Sequence, residues 1–437
     1  MIVVFVLLYY RSSRFKSGAH FLATELDRMR SGKAERVMNR VTNQTEPSVH
    51  PDHPDDWSWR FWQVVPLYPY GKRRTLRKEV VKDMIWTFDQ MQGIFYVVVP
   101  IRMTIVKLEA GGLLVYAPVA PTPECIRLVK ELVAEHGDVK YIILPTSSGL
   151  EHKVFVGPFA RQFSNAQIFV APHQWSFPIN LPLSWLGFPA KRTQTLPEDS
   201  SKAPFCDDFD YAILDIDLGA GSFGEVAFFH RRSHSLLVTD SVLSVPEDPP
   251  AIVQLDTYSL LFHAKDHASD RVEDTPTNRR KGWWRMALFA FYFRPSALEP
   301  LGLGEILRDA SKASDRSKKA YFGLFPFKWR EDWQRSFEAL RGNGRLFVAP
   351  ILQTIILNRS PQQTLAWADQ VAKWDFERVI PCHLDAPIAA TPQEFRQAFT
   401  FLEEEAIATL PQEDFALLWQ IEERLNRSGV TPPRGKV

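Results

Sequence analysis

An apolar run that empties into a short polar loop is the feature that most limits the fold. Residues 141–152 read YIILPTSSGLEH. Tyr141 to Leu144 have the aromatic and branched bias of a buried strand. Pro145 stops the run, small polar residues follow, and Glu151 and His152 close the loop. The next segment, KVFVGPFARQF, is apolar-rich and reads as a helix. A buried strand that passes through a loop into a helix belongs in a layered α/β domain. The C-terminal ends of such strands are where sites are built, so an acid and a histidine placed there are candidate functional residues.

The flanking sequence keeps the same rhythm. FYVVVP, MTIVKLE and GLLVYAP are strand-like, and Gly111-Gly112 marks a hairpin turn between the last two. Pro121 and Pro123 open a helix whose apolar face is Ile126, Leu128, Val129, Leu132 and Val133, and Gly137 ends it. AQIFVAP reads as the following strand. Strand signals return in FDYAILDID, FGEVAFFH and SLLVTDSVLSV, then in LFVAP and FERVIP, with helices near 361–374, 393–405 and 413–427.

Two Trp- and Pro-rich insertions, near 173–207 and 246–330, interrupt the order. The expected organisation is an N-terminal extension over 1–92, a domain over 93–427 carrying both insertions, and a frayed tail over 428–437. The extension holds an aromatic block, WSWRFWQVVPLYPYGKRR, which suits a lid over a core or a membrane interface; the lid is the favoured reading.

Composition excludes some functions. Basic and acidic residues nearly balance, 52 against 51, so the chain lacks the phosphate-neutralising surface that broad nucleic-acid binding needs. Cys125, Cys206 and Cys382 are widely spaced and form no CxxC, which favours a reducing compartment over a disulfide framework. Residues 2–10, IVVFVLLYY, fall short of the roughly 20 residues that cross a bilayer. They read as a packed strand or as the end of a membrane anchor, since Arg11, Arg14 and Lys16 follow at once.

The loop at 146–152 resembles the metal-binding loop of the metallo-β-lactamase superfamily, T-H-x-H-x-D-H after a buried strand. Thr146 and His152 match, Ser147 and Gly149 stand where histidines belong, and Glu151 replaces the aspartate. The resemblance continues in SLLVTDSVL, which places Asp240 as the bridging aspartate, and in VIPCHLDAP, which places His383 as the last histidine. Gly221 or Ser222 stands where the third histidine of the first metal site belongs. The resemblance covers roughly 95–245 and 345–390 and implies an α/β/β/α sandwich. It further implies that the first metal site is lost while Glu151, His152, Asp240 and His383 keep the donors of the second. Such a set suits one divalent ion, Zn, Fe or Mn, with room for water. More narrowly, the stretches DWSWRFWQVVPLYPYGKRRTLRKEVVKD, QGIFYVVVPIRMTIVKLEAGGLLVYAPVAPT and LPTSSGLEHKVFVGPFARQF resemble a family of cyanobacteria and plastids within that superfamily, implying a cytoplasmic or stromal location with a membrane association left open.

Each donor also has a plainer role. Glu151 suits a helix start, Asp240 a turn cap, and His383 a packed imidazole beside Cys382. His230 and His234 read as a solvated turn, HRRSH. His263 and His267 have i, i+4 spacing that could place both on one helical face near the site. Two functions follow. One is a metal-binding protein with a single ion, acting as a hydrolase on a small-molecule ester, thioester or phosphoester. The other is a scaffold of a photosynthetic cell that docks to a membrane or protein partner through residues 57–74, 173–189 and 283–293. The segment WWRMALFAFYF suits an interfacial helix or a buried one, and burial is the favoured reading.

Overall fold

A computed structural model describes residues 53–60, 67–147, 150–175, 180–219, 221–403 and 410–435. Its strands, in chain order, are β1 (Leu76–Val81), β2 (Ile85–Ile94), β3 (Val97–Lys107), β4 (Leu113–Tyr116), β5 (Val139–Leu144), β6 (Gln167–Val170), β7 (Thr193–Thr195), β8 (Phe209–Asp217), β9 (Ser222–His230), β10 (Ser235–Val238), β11 (Leu298–Pro300), β12 (Phe327–Trp329), β13 (Arg378–Pro381) and β14 (Ile388–Ala389). The α-helices are α1 (Pro123–His136), α2 (Leu150–Gln162), α3 (Tyr258–Ala264), α4 (Pro276–Tyr292), α5 (Leu303–Ser311), α6 (Trp333–Arg341), α7 (Pro350–Ile355), α8 (Pro361–Val371), α9 (Pro392–Gln397) and α10 (Ala416–Arg427).

β1 to β7 form one sheet in sequence order, and a second sheet runs β14-β13-β10-β9-β8. β4, β5, β6 and β7 pair in parallel, and so do β10 and β13. Both faces are buried along the central strands β2, β3, β4, β9 and β10, which explains the continuous apolar runs in the sequence. Along β4, Leu113 and Val115 face α1 and α2, whereas Leu114 and Tyr116 face the second sheet. Along β9, Val226 and Phe228 meet that inter-sheet core, whereas Ala227 and Phe229 face outward. Period-two alternation thus sends successive side chains into different layers. The outward core of the second sheet is closed by side chains from α4, α7, α8, α9 and α10. The result is the expected α/β/β/α sandwich.

Local chemistry sets the helix ends. Thr122 caps α1 by accepting from the Cys125 amide, Pro123 sits in its first turn, and Gly137 ends it. Thr275 caps α4 in the same way through the Asn278 amide. α4 carries WWRMALFAFY, and Trp283, Leu288 and Tyr292 are fully buried, so the apolar segment is a core helix. Gly282 permits this, because a Cβ there would stand 1.8 Å from the Leu260 carbonyl oxygen on α3.

Some details differ from the sequence reading. FYVVVP and MTIVKLE fuse into the single strand β3, because Pro100 sits inside the long hairpin rather than ending a strand. The first sheet begins at Leu76, within residues that the reading assigned to the extension. Within the aromatic block, Trp59 is buried edge-on against Phe155 with ring centroids 5.4 Å apart. Residues 61–66 of that block and the run at 2–10 lie outside the described residues. Among the described residues no helix is long and apolar enough to cross a membrane.

Candidate metal centre

The four candidate donors stand at strand ends, as their positions in the sequence require. Glu151 and His152 lie in the first turn of α2, after β5. Asp240 follows β10 and His383 follows β13, two parallel neighbours whose C-terminal ends point the same way. A bridge between Thr146 and Glu225 ties the β5–α2 loop to the second sheet, and the Val226 amide donates to the Pro145 carbonyl at 2.9 Å. The loops that carry these residues, distant in the chain, therefore come together at one edge of the sandwich.

His383 is the hub. Its Nε2 lies 3.4 Å from Glu151 Oε2 and 3.3 Å from Asp240 Oδ1. Ligands about 2.1 Å from a tetrahedral ion sit about 3.4 Å from one another, so these separations match two edges of such a site. The His152 ring is farther off, with its centroid 6.4 Å from that of His383. Among the described residues no three His, Cys, Asp or Glu side chains are gathered closely enough to hold an ion as they stand.

Both histidines are aimed by the same device. His152 Nδ1 meets the Pro118 carbonyl at 3.0 Å, and His383 Nδ1 meets the Pro100 carbonyl at 2.8 Å. A ring that donates from Nδ1 to a carbonyl offers the Nε2 lone pair on its far side, which is how metal-binding histidines are oriented. His152 Nε2 is buried with no hydrogen-bond partner, a cost that a ligand would relieve. Gln92 Nε2 donates to Glu151 Oε2 at 2.9 Å and fixes that carboxylate.

Burial lowers His152 to about 4, and the nearby His383 pushes the same way, so His152 is neutral near pH 7, as a ligand must be. Burial alone would lower His383, but the carboxylates of Asp240 and Glu151 outweigh it and raise the ring above its ordinary value. Burial would raise Asp240, yet it is held below the usual carboxylate range with the help of its hydrogen bond to His383.

Two supporting residues carry no obvious signal in the sequence. Arg102 on β3 forks onto Asp89 at 2.7 and 3.0 Å and donates to the carbonyls of Pro381 at 2.8 Å and Leu384 at 2.9 Å. It thus clamps the loop that carries His383 to the first sheet. Glu225 on β9 accepts from the Thr239 amide at 2.7 Å, the Asp240 amide at 3.1 Å, the Ser241 hydroxyl at 3.2 Å and the Thr239 hydroxyl. It shapes the turn that presents Asp240.

The positions expected for the lost first site are filled by other groups. A Cβ on Gly221 would meet the Trp175 ring at 2.4 Å, and one on Gly224 would meet the Ser147 hydroxyl at 2.6 Å. Lys153 is buried and donates to the carbonyls of Ser147 and Trp175, and burial lowers it to about 7. Gly149 lies outside the described residues.

The remaining polar groups separate clearly. His230, read as part of a solvated turn, is instead fully buried against Phe209, with Nδ1 2.6 Å from the Ser233 hydroxyl. His263 and His267 do not share a helical face, because α3 ends at Ala264. His263 is buried and lines the same cavity as Glu151, whereas His267 is exposed. Cys382 is buried and its thiol is pushed well up by burial, so it packs as a small apolar group.

Comparison with known proteins places the chain in a family. It belongs to the family described as "Domain of unknown function (DUF4336)", whose model matches residues 82–401. No curated protein matches it. Solved structures similar to it include the DIM-1 metallo-β-lactamase exposed to ceftazidime, at 11% identity over 43% of this chain and 81% of that one, with a TM-score of 0.30. A metallo-β-lactamase from Pontibacter korlensis is similar at 13% identity, over 43% of this chain and 81% of that one, with a TM-score of 0.29. A flavo di-iron protein mutant from Thermotoga maritima is similar at 8% identity, over 75% of this chain and 61% of that one, with a TM-score of 0.35.

Proposed function

We propose that the chain binds one divalent metal ion through Glu151, His152, Asp240 and His383 and is a metal-dependent hydrolase of metallo-β-lactamase type. The observation that carries this reading is the pair of histidines with Nδ1 tied to backbone carbonyls, one of them leaving a buried Nε2 without a partner. The donor types suit Zn, Fe or Mn. Binding has to bring His152 together with the other three donors, since its ring now lies 6.4 Å from that of His383 between centroids. When bound, such an ion lowers the pKa of its water into the neutral range, which supplies a nucleophile for an ester, thioester or phosphoester.

The protein's own groups supply the rest. Pro118 and Pro100 carbonyls hold the two rings, Gln92 holds Glu151, and Glu225 and Arg102 hold the loops of Asp240 and His383. Apolar walls line the cavity beside Glu151, which suits an apolar substrate. The expected setting is the cytoplasm of a cyanobacterium or a plastid stroma. The alternative is a non-catalytic scaffold. Its three docking segments fare unequally, since Trp283 and Phe291 are buried in the core while Tyr70 and Trp185 remain exposed.

Elemental analysis of purified protein tests the reading. About one equivalent of zinc, iron or manganese is expected per wild-type chain, with more than a tenfold loss of affinity in His152→Ala and in Asp240→Ala. Metal-free protein after expression with ample supply of all three would sink it and favour the scaffold.

A further inference from the structure

A cavity of about 270 Å³ lies under the tip of the β2–β3 hairpin, with walls from Ile94, Val97, Val99, Phe289, Phe293 and Phe327. Its polar groups are few: Gln92, Glu151 and His263. At about 30 Å³ per water-sized group, it has room for a chain of about nine heavy atoms. Glu151 and Val99 put its floor beside the candidate metal centre, and Val99 also touches the hollow lined by Asp240 and His383. Gln92 Oε1 is buried at this floor with no hydrogen-bond partner. Phe95 and Pro326 mark the outer end, and both are exposed.

The rim is unusual in its backbone and in what it shows to solvent. Phe95, Tyr96, Tyr321 and Phe322 all have positive φ, between 50° and 62°. That region costs a side chain-bearing residue about 1–2 kcal/mol, and strain of this kind gathers at functional sites. It holds Phe95 and Phe322 outward at 59% and 64% exposure. Leu303 and Leu307 share one face of α5 and are 73% and 57% exposed. The parts are joined: Phe95 packs on Tyr321 with centroids 6.1 Å apart, and the Leu301 amide donates to the Pro326 carbonyl at 3.0 Å. Charge accompanies the apolar face. Between Leu303 and Lys328 there are 6 basic residues and 3 acidic ones, a surplus of 3 in a chain whose whole formal charge is +1. All 6 basic residues are exposed.

We propose that this face rests on an anionic bilayer and that the cavity takes one apolar chain of a lipid from it. Exposed leucine and phenylalanine beside lysine and arginine are what an interfacial surface needs, and a cavity mouth within that surface lets a chain pass from the bilayer without crossing water. The polar end of the lipid would reach Glu151 first and the chain would trail to the rim. Its link to hydrolysis rests on the function proposed above; the binding itself does not.

Sedimentation with phosphatidylcholine vesicles, with and without equimolar phosphatidylglycerol, tests the face. Wild type is expected to pellet with the anionic vesicles, and Leu303→Glu/Leu307→Glu is expected to lower that binding about tenfold. The cavity is tested with N-phenylnaphthylamine, a neutral apolar dye, displaced by decanol. Ala290→Phe, which fills the cavity, is expected to weaken dye binding about tenfold; Val97→Phe serves if the first variant melts abnormally by circular dichroism. Both assays are repeated in chelator, where binding is expected to persist even if the metal reading fails. Equal binding to both vesicle types, or dye binding unchanged in both filled variants, overturns the proposal.

Discussion

An Arg102→Met variant is expected to lose about 3–5 kcal/mol of stability and about 10- to 100-fold in metal affinity. The first figure follows from burial. Arg102 is 3% exposed, so its charge is tolerated only because Asp89 accepts from Nε and Nη2 and two carbonyls accept from Nη1 and Nη2. Removing the cation leaves Asp89 without its partner and the Pro381 and Leu384 carbonyls without donors. The second figure follows from position, because those carbonyls flank His383 in the chain. Arg102→Lys keeps the charge but not the planar fork, and it is expected to recover only part of either loss. Urea unfolding monitored with and without metal separates the effects. A variant as stable as wild type, or one that binds metal unchanged, would show that the clamp does not position His383.

The arrangement of layers was legible because burial on both faces writes itself into sequence. The runs LLVY in β4, YIIL in β5 and VAFF in β9 are apolar at every position, and such strands need a layer on each side. The four candidate donors were picked out by their spacing after strands, and the fold brings Glu151 and Asp240 to His383 while the His152 ring stays 6.4 Å away between centroids. What holds them in place was not. Arg102 sits in IRMTIV among apolar neighbours, and only the fold brings Asp89, Pro381 and Leu384 to its guanidinium. The histidines were misread where their surroundings come from far away. His230 looks solvated beside Arg231 and Arg232, yet Phe209 from the neighbouring strand covers it. Local charge says little about burial when the covering residue is distant in sequence.

Burial of neutral histidines also gives the metal-free protein a steep acid dependence. His152, His230 and His263 are each lowered by burial from 6.5 to about 4. Between those values the unfolded chain holds a proton on each ring and the folded chain does not, so stability rises with pH and falls on acidification. Each ring contributes a slope of about 1.4 kcal/mol per pH unit, or about 3 kcal/mol over the full window. Glu225 acts in the opposite direction. Burial raises it to about 7, so the folded chain keeps a proton that the unfolded chain has already lost, and one of the three slopes is offset. The raised carboxyls of Glu124, Asp208 and Asp385 oppose the histidines in the same sense. His263 isolates the effect, because it is fully buried and is none of the four proposed ligands. A His263→Leu variant is expected to lose up to about 3 kcal/mol of the acid sensitivity between pH 6.5 and pH 4, read as the difference in urea midpoint between two buffers. An unchanged difference would mean that the ring is already protonated in the fold, and a charged imidazole among Phe262, Phe289 and Phe327 would then require an anion in the cavity it lines.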